Sequence, residues 1–93
     1  MSIYLTNEVW QYSTRKGSEL LLLLALADHA NEQGVCWPSV RHLARKCRLS
    51  PRQVRRLIEK LVESGELAVE QGGGRRFTNI YHILELRGRG RKD

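Results

Sequence analysis

The feature that most constrains this chain is the stretch from residue 50 to residue 65, S-P-R-Q-V-R-R-L-I-E-K-L-V-E-S-G. Ser50 is a favourable N-cap, Pro51 suits the first helical position, and Gln53 completes an S-x-x-Q capping box. Apolar residues then recur at helical spacing, at Val54, Leu57, Ile58, Leu61 and Val62. Gly65 stands where a left-handed cap would end the helix. The stretch therefore predicts an amphipathic helix over residues 51–64.

The polar face of this predicted helix changes character along its length. Its first two turns carry arginine and glutamine and contain no acidic residue, whereas Glu59 and Glu63 follow later. Arginine and glutamine side chains can hydrogen-bond to base edges in the major groove of DNA. The pattern predicts a helix that reads DNA with its N-terminal end and leaves the groove near the two glutamates.

Charge is distributed unevenly along the 93 residues, whose formal net charge is +6. Residues 1–34 carry a net −2, whereas residues 35–60 carry +7, from eight basic residues and one acidic residue. Residues 61–74 carry −3 and residues 75–93 carry +4. Two basic segments separated by an acidic one favour a single anion-binding surface. Nucleic acid is the favoured polyanion, since a membrane-surface segment would place bulky apolar residues opposite its charges.

The N-terminal third predicts an arm followed by a strongly apolar helix. Residues 1–16 predict a short lead-in, in which Thr6 caps a turn of helix that packs Val9 and Trp10 on the body. This packing role for Trp10 is favoured over a ligand-binding one. Residues 18–33 predict a helix whose leucines spread beyond one stripe and which Gly34 ends. Such a helix is either central to the core, covered by the N-terminal arm, or part of a dimer contact. A core position under the arm is favoured over the dimer contact.

Two shorter elements lead into the helix at residues 51–64. Residues 35–38, V-C-W-P, predict a short strand that Pro38 stops. Ser39 is expected to cap a helix over residues 40–46. A three-residue turn follows, in which Leu49 can pack on the next helix as a hydrophobic staple. Two helices joined by such a turn make a helix-turn-helix.

The remainder of the chain predicts a hairpin and a tail. Residues 66–71 and 77–86 predict two strands joined by G-G-G-R-R, because glycines between apolar runs are typical of a flexible hairpin. Residues 87–93, R-G-R-G-R-K-D, have no apolar side chain and are expected to be disordered. The expected architecture is mainly α with a small β-hairpin. One domain over residues 1–86 contains three core helices, a wing and a short N-terminal arm.

The order of helix, short strand, helix-turn-helix and hairpin is that of a winged helix. The chain carries G-V-C-W-P-S, then L-A, then an S-capped helix that begins P-R-Q-V, with Asn79 and Tyr81 of the hairpin as weaker support. On these residues the chain resembles the winged helix-turn-helix domains of bacterial, plasmid and phage DNA-binding proteins. It is most similar to the domains that begin phage replication-initiator proteins, which continue into a longer region. The resemblance implies binding to double-stranded DNA, in transcription regulation or replication initiation.

The helix-turn-helix geometry assigns roles to the basic residues. The second helix enters the major groove with its N-terminal residues nearest the bases, so Arg52, Gln53 and Arg56 are the base-edge candidates. The first helix crosses the backbone, where its free amides can bind phosphate. The predicted phosphate contacts are Ser39, Arg41, His42, Arg45, Lys46, Ser50, Arg55 and Lys60.

Some basic residues have competing interpretations. Arg55 can instead pair with Glu59 at i,i+4. Arg75 and Arg76 of the wing are expected to reach a minor groove, and the competing interpretation is an exposed loop. The arginines of residues 87–93 would add non-specific attraction to DNA, or contact RNA.

Other functional classes find little support in the sequence. Cys36, Cys47, His29 and His42 lack C-x-x-C or H-x-x-x-H spacing, so buried cysteines without a metal are expected. No nucleophile motif, paired carboxylates or phosphate-binding loop is present, so no enzyme, cofactor or small-molecule ligand is expected. No signal peptide or membrane-spanning run is visible, which favours a cytoplasmic, reducing location.

The expected function is therefore sequence-specific binding to duplex DNA, as a transcription regulator or a replication-initiator module. A homodimer through the leucine-rich helix or the N-terminal arm is a candidate assembly. The alternatives are a winged helix that docks a protein partner through the leucine-rich helix, and an RNA-binding protein. The basic residues fall on the helix-turn-helix rather than on the leucine-rich helix, which favours DNA.

Overall fold

The structure is a computed structural model that describes residues 3–72, 78–84 and 86. Within these residues the chain forms four helices and three short strands. In chain order they are α1 (Ile3–Tyr12), α2 (Gly17–His29), β1 (Val35–Cys36), α3 (Val40–Cys47), α4 (Pro51–Ser64), β2 (Leu67–Glu70) and β3 (Ile80–Ile83). This is the predicted winged helix-turn-helix order, preceded by a helix. The loop at residues 73–77 and the predicted tail lie outside the described residues.

Helix α4 has the predicted bounds because its own sequence specifies both ends. The Ser50 side chain accepts a hydrogen bond from the backbone N–H of Gln53, at 3.1 Å. The Gln53 side-chain oxygen in turn accepts one from the Ser50 N–H, at 3.0 Å. Gly65 ends the helix with φ 85°, in the left-handed conformation that favours glycine. Both the capping box and the C-terminal cap are confirmed.

The turn between α3 and α4 is tight and contains the one described residue other than glycine with positive φ. Arg48 has φ 61°, and the Leu49 N–H donates to the Ala44 carbonyl at 2.9 Å. Helix α3 runs one residue further than predicted, to Cys47, whose side chain is buried. Leu49 packs against the core, and its staple contact with a residue of α4 stays a prediction. The left-handed residue lets the chain reverse directly from α3 into α4.

The N-terminal segment is more ordered than an arm with one turn of helix. Helix α1 is ten residues long and packs on α2. Val9 is fully buried, as predicted, but Trp10 is 63% exposed, so the expectation that Trp10 packs on the body is wrong. The periodicity that buries Val9 and Leu5 on one face of α1 turns Trp10 outward.

Helix α2 lies at the centre of the core. Leu22, Leu23 and Leu26 are fully buried, which agrees with a helix covered by the N-terminal segment. The helix ends at His29 rather than near Gln33, because Ala30 adopts an extended conformation. The Asn31 side chain then accepts hydrogen bonds from the N–H groups of Gln33 and Val35, and these bonds form a turn.

Gly34 does not end a helix but adjoins the sheet. It has φ 80°, and a Cβ added there would lie 3.0 Å from the Ile83 carbonyl oxygen. The Ile83 N–H donates to the Gly34 carbonyl at 2.8 Å. Glycine alone can adopt the left-handed conformation at this position and also leave room for the neighbouring backbone.

The strands form an antiparallel sheet in the order β1-β3-β2. Cys36 pairs with Tyr81, and Val69 pairs with Tyr81 from the other side. Tyr81 is fully buried at the centre of this sheet. Strands β2 and β3 are four residues each, shorter than the predicted runs. The sheet therefore joins the segment before the helix-turn-helix to the hairpin that follows it.

A buried carboxylate connects the N-terminal helices to the end of α4. Glu66 is 3% exposed. It accepts a hydrogen bond from the Ser13 hydroxyl at 2.6 Å, and from the N–H and hydroxyl of Thr14, both at 2.8 Å. No cation pairs with it among the residues described. No local sequence pattern indicates this contact, which joins residues more than fifty positions apart.

Candidate nucleic-acid interface

Helix α4 presents a continuous polar face to solvent. Its inward positions Val54, Ile58 and Leu61 are buried against the core. The outward side chains are all exposed: Arg52, Gln53, Arg55, Arg56, Glu59, Lys60 and Glu63. The first turn contains no acidic residue. The structure therefore brings the three predicted base-edge residues together at one exposed end of α4, where the helix dipole also favours an anion.

The three base-edge candidates differ in how free their side chains are. Within the described part of the chain, Arg52 and Arg56 form no salt bridge, so both guanidinium groups are available to a ligand. Gln53 is committed to the capping box through its side-chain oxygen. Bidentate contact with adenine uses both ends of the glutamine amide: its nitrogen donates to N7, and its oxygen accepts from the N6 amino group. Gln53 would have to give up its cap to read adenine in this way.

Helix α3 supplies a second set of polar groups at its N-terminal end. The Ser39 hydroxyl accepts from the His42 N–H at 3.0 Å and caps the helix. Ser39, Arg41 and Arg45 are exposed. The Ser50 hydroxyl is likewise occupied as the cap of α4. Both serines keep a free lone pair for a water or a donor, but their principal contact here is structural.

Two of the predicted phosphate contacts are engaged with α2. The Lys46 ammonium lies 2.7 Å from an Asp28 carboxylate oxygen. This hydrogen bond lowers the pKa of Asp28 below its ordinary value. The His42 Nε2 lies 3.1 Å from the Nε2 of His29, and both rings are partly buried. Sequence reasoning missed both contacts, because the partners lie on a different helix.

Arg55 and Lys60 flank the outward face of α4. Arg55 borders an open groove of about 540 Å³ between α4 and the sheet, with Val62, Val69 and Asn79 among the other lining residues. The alternative pairing of Arg55 with Glu59 does not form among the described residues. Lys60 is exposed. Arg55 is therefore free to turn toward a phosphate beside the groove.

The wing is described only at its base. The Gly72 N–H donates to the Asn79 side-chain oxygen at 3.3 Å, where β2 and β3 begin to separate. The Thr78 hydroxyl donates to the Trp37 carbonyl at 3.1 Å and joins the hairpin to the segment before α3. Arg75 and Arg76, predicted to contact a minor groove, lie outside the described residues.

The two cysteines are buried free thiols. Burial raises the pKa of Cys36 to about 12, so its thiol stays protonated at neutral pH. In the part of the chain that is described, no three His, Cys, Asp or Glu side chains cluster as metal ligands would. None of the described helices has the length and apolar content to cross a membrane.

Comparison with known proteins places the helix-turn-helix in a family. The family model described as a helix-turn-helix domain matches residues 16–66, which include α2, β1, α3 and α4. Protein YmfN of Escherichia coli strain K12 is 38% identical over 80 residues. That match covers 80% of this chain and 18% of YmfN, so the chain spans less than a fifth of that relative.

Solved structures share the fold at low sequence identity. A possible transcriptional regulator from Methanosarcina mazei Go1 superposes with a TM-score of 0.57 at 18% identity, covering 84% of this chain and 63% of that one. A variant of ZitR from Lactococcus lactis, solved in complex with DNA, gives a TM-score of 0.54 at 20% identity. It covers 73% of this chain and 41% of the ZitR chain. These similarities support the winged-helix fold.

Proposed function

The chain belongs to the helix-turn-helix domain family, and on this basis we propose that it binds double-stranded DNA with α4 in the major groove. The observation that carries the proposal is the exposed, acid-free N-terminal end of α4. There two arginines, which form no salt bridge with any described residue, project from a helix with a capping box. The DNA complex of the ZitR variant, which shares this fold, supports it. Sequence-specific recognition follows from groove contact by these side chains.

In this proposal Arg52 and Arg56 are the principal base-reading residues. A free guanidinium can donate two hydrogen bonds to the acceptors of guanine. Gln53 takes a lesser part, because its side-chain oxygen holds the cap. It either donates a single hydrogen bond from its amide nitrogen or trades the cap for adenine contact.

The phosphate contacts divide into free and engaged groups. Arg41, Arg45, Arg55 and Lys60 are exposed and are proposed to bind the backbone directly. Ser39 and Ser50 mark helix N-termini whose amides can approach a phosphate. Lys46 and His42 contribute only if they leave Asp28 and His29. Arg75 and Arg76 are proposed to contact the flanking minor groove.

The proposed biological role is regulation of transcription from a bacterial or phage genome, in the cytoplasm. Initiation of replication is the second candidate role, and it rests on the sequence resemblance to replication-initiator proteins. Residues 1–86 are proposed as the DNA-binding domain, with residues 87–93 adding non-specific attraction. Contact with RNA is the alternative for that basic segment.

The salt dependence of binding tests the DNA proposal. If six to eight phosphates are contacted, log K should fall against log salt concentration with a slope of about −5 to −7. Fluorescence anisotropy on a site selected from random duplex DNA measures this slope. The same sequence as RNA is the comparison ligand. A flat salt response, or tighter binding to the RNA, would overturn the proposal.

We further propose that two copies associate through the outer face of α1 and α2. Trp10 and Leu21 are 63% and 45% exposed there, beside a groove of about 280 Å³ that Leu24 also lines. Helix α1 packs on α2 and does not contact α4 within the described residues, so this face leaves the DNA-reading end free. A dimer would match two-fold operators.

Paired variants separate the dimer from the DNA contact. Leu21→Glu should convert a dimer to a monomer in analytical ultracentrifugation, because it places a charge in the apolar contact. Arg52→Glu should abolish DNA binding and leave the dimer intact. A wild-type monomer at working concentrations would exclude the homodimer. If Arg52→Glu keeps a protein partner that Leu21→Glu loses, the face serves protein docking instead.

A further inference from the structure

The imidazole rings of His29 and His42 meet where α2 ends and α3 begins. Their Nε2 atoms are 3.1 Å apart, their ring centroids are 4.8 Å apart, and their planes cross at 71°. His29 is the last residue of α2, and His42 is the third residue of α3. The rings therefore turn nitrogen atoms toward each other from two different helices.

The two distances together define how the rings approach. Imidazoles that point straight at each other would separate their centroids by the Nε2–Nε2 distance plus the full centre-to-nitrogen distance of each ring, which exceeds 4.8 Å. The ring axes are therefore inclined and not collinear. A hydrogen bond between the nitrogens is strongest when it is nearly straight. The nitrogens are near enough to hydrogen-bond when one ring carries a proton on Nε2, and near enough to share one ion when neither does.

A transition-metal ion fits this separation of the two nitrogens. An ion about 2.05 Å from both nitrogens, as imidazole ligands of zinc lie, would make an N–metal–N angle of about 98° at the observed separation. This angle falls between the octahedral value of about 90° and the tetrahedral value of about 109°. Only small ring movements would be needed to reach either geometry.

The surroundings leave room for the rest of a coordination shell. An open cavity of about 360 Å³ borders both rings, with Trp37 and Cys36 also in its lining. This volume holds several waters, each of which occupies about 30 Å³ in the liquid. Lys46 is a nearby cation, and its ion pair with Asp28 offsets its repulsion of a metal.

We propose that His29 and His42 together chelate one divalent transition-metal ion through their Nε2 atoms, with water in the remaining positions. The sequence argued against a metal because it lacks closely spaced ligands, but the fold brings these two histidines together from positions thirteen residues apart. Imidazole favours Cu²⁺, Ni²⁺ and Zn²⁺ among the divalent ions. The ion would cross-link the end of α2 to the first turn of α3.

Calorimetric titration of the full chain with NiCl₂ or ZnCl₂, in a non-chelating buffer, tests the site. We expect one ion per chain and a higher Tm in the presence of metal, since the ion binds the folded state. His29→Gln and His42→Gln should each weaken binding at least about tenfold, the loss of one of two ligands. His82→Gln is the matched control, because His82 is the third histidine, lies on β3 and should leave binding unchanged.

Two spectroscopic measurements on the wild-type chain test the site even if the histidine variants fail to fold. Zinc should shift the imidazole Nε2 resonances of His29 and His42 together, and leave those of His82 in place. Cobalt should give a spectrum without a thiolate charge-transfer band, since the buried thiol of Cys36 is not a ligand. Absence of saturable binding, equal loss in His82→Gln, or a thiolate band would overturn the proposal.

Discussion

The two helical pairs of the molecule differ in what determines the ends of their helices. One pair is the helix-turn-helix of α3 and α4, and the other is α1 and α2. Helix α4 begins at a side-chain capping box and ends at a left-handed glycine, so its own residues fix both ends. Helix α2 begins without a side-chain cap, and it ends where Ala30 adopts an extended conformation. Helix α4 exposes arginines, whereas α1 exposes Trp10 and α2 exposes Leu21. Local sequence therefore defines the ends of α4, whereas tertiary packing defines α1 and α2.

The largest predicted effect concerns the contact that joins the two regions. Glu66→Ala should lower the free energy of unfolding by about 3 kcal/mol, because it strands three donors that now share one buried carboxylate. Urea denaturation measures the loss. Glu63→Ala, on the exposed face of α4, should change stability by less than about 0.5 kcal/mol. Equal losses in the two variants would show that the regions are stabilised independently.

The next effect tests whether the exposed end of α4 reads bases. Arg56→Ala should cost about 1–3 kcal/mol of binding to the selected site and relax specificity at one base pair. Anisotropy titrations on the selected and randomised duplexes measure both. Lys16→Ala removes one exposed positive charge at the start of α2 and should change affinity little. An equal loss on random DNA would reassign Arg56 to a phosphate.

The two ways of starting a helix can be compared directly. Ser50→Ala should destabilise the fold by about 1 kcal/mol, because it removes the side-chain acceptor of the α4 cap. Gly17→Ala should cost a similar amount, about 1 kcal/mol, through backbone strain at φ 61°, since the space around Gly17 is open. Thermal unfolding of both variants measures this. A neutral Gly17→Ala would mean that the start of α2 can rearrange without cost.

The smallest predicted effect is a gain in the turn of the helix-turn-helix. Arg48→Gly should stabilise the protein by about 0.5 kcal/mol, because glycine adopts the left-handed conformation of φ 61° without strain. The greater freedom of glycine in the unfolded chain offsets part of this gain. Chemical denaturation detects it. A loss of stability would indicate that the arginine side chain, which donates to the Lys46 carbonyl, holds the turn.

The same contrast explains what could be predicted from the sequence. The bounds of α4 were predicted correctly because Ser50, Gln53 and Gly65 act on their immediate neighbours. The end of α2 was placed four residues late, because Asn31 and the β1–β3 pairing, not Gly34, determine where the helix stops. Helix α1 was underestimated because its short apolar pattern becomes a stable helix only on α2.

Prediction of the candidate site shows the same limit. The exposure of Arg52 and Arg56 follows from helical periodicity and was foreseen. The Lys46–Asp28 ion pair and the His29–His42 contact join separate helices, so no local pattern reveals them. The role of Gln53 was predicted twice over, as a cap and as a base reader. The capping hydrogen bond is formed, and base reading stays a prediction.

The pairing of β1 with β3 has a consequence for the folding pathway. Cys36 and Tyr81 close a loop of about 45 residues that contains the whole helix-turn-helix, whereas Glu70 and Ile80 close one of about 10. The longer loop costs about 1 kcal/mol more in closure entropy. The hairpin of β2 and β3 should therefore form before β1 joins it. Pairing of β1 with β3, which closes the loop that contains the helix-turn-helix, should be the last step of folding. In a hydrogen-exchange experiment, the backbone amides of β1 should therefore exchange faster than those of the hairpin and the central helices.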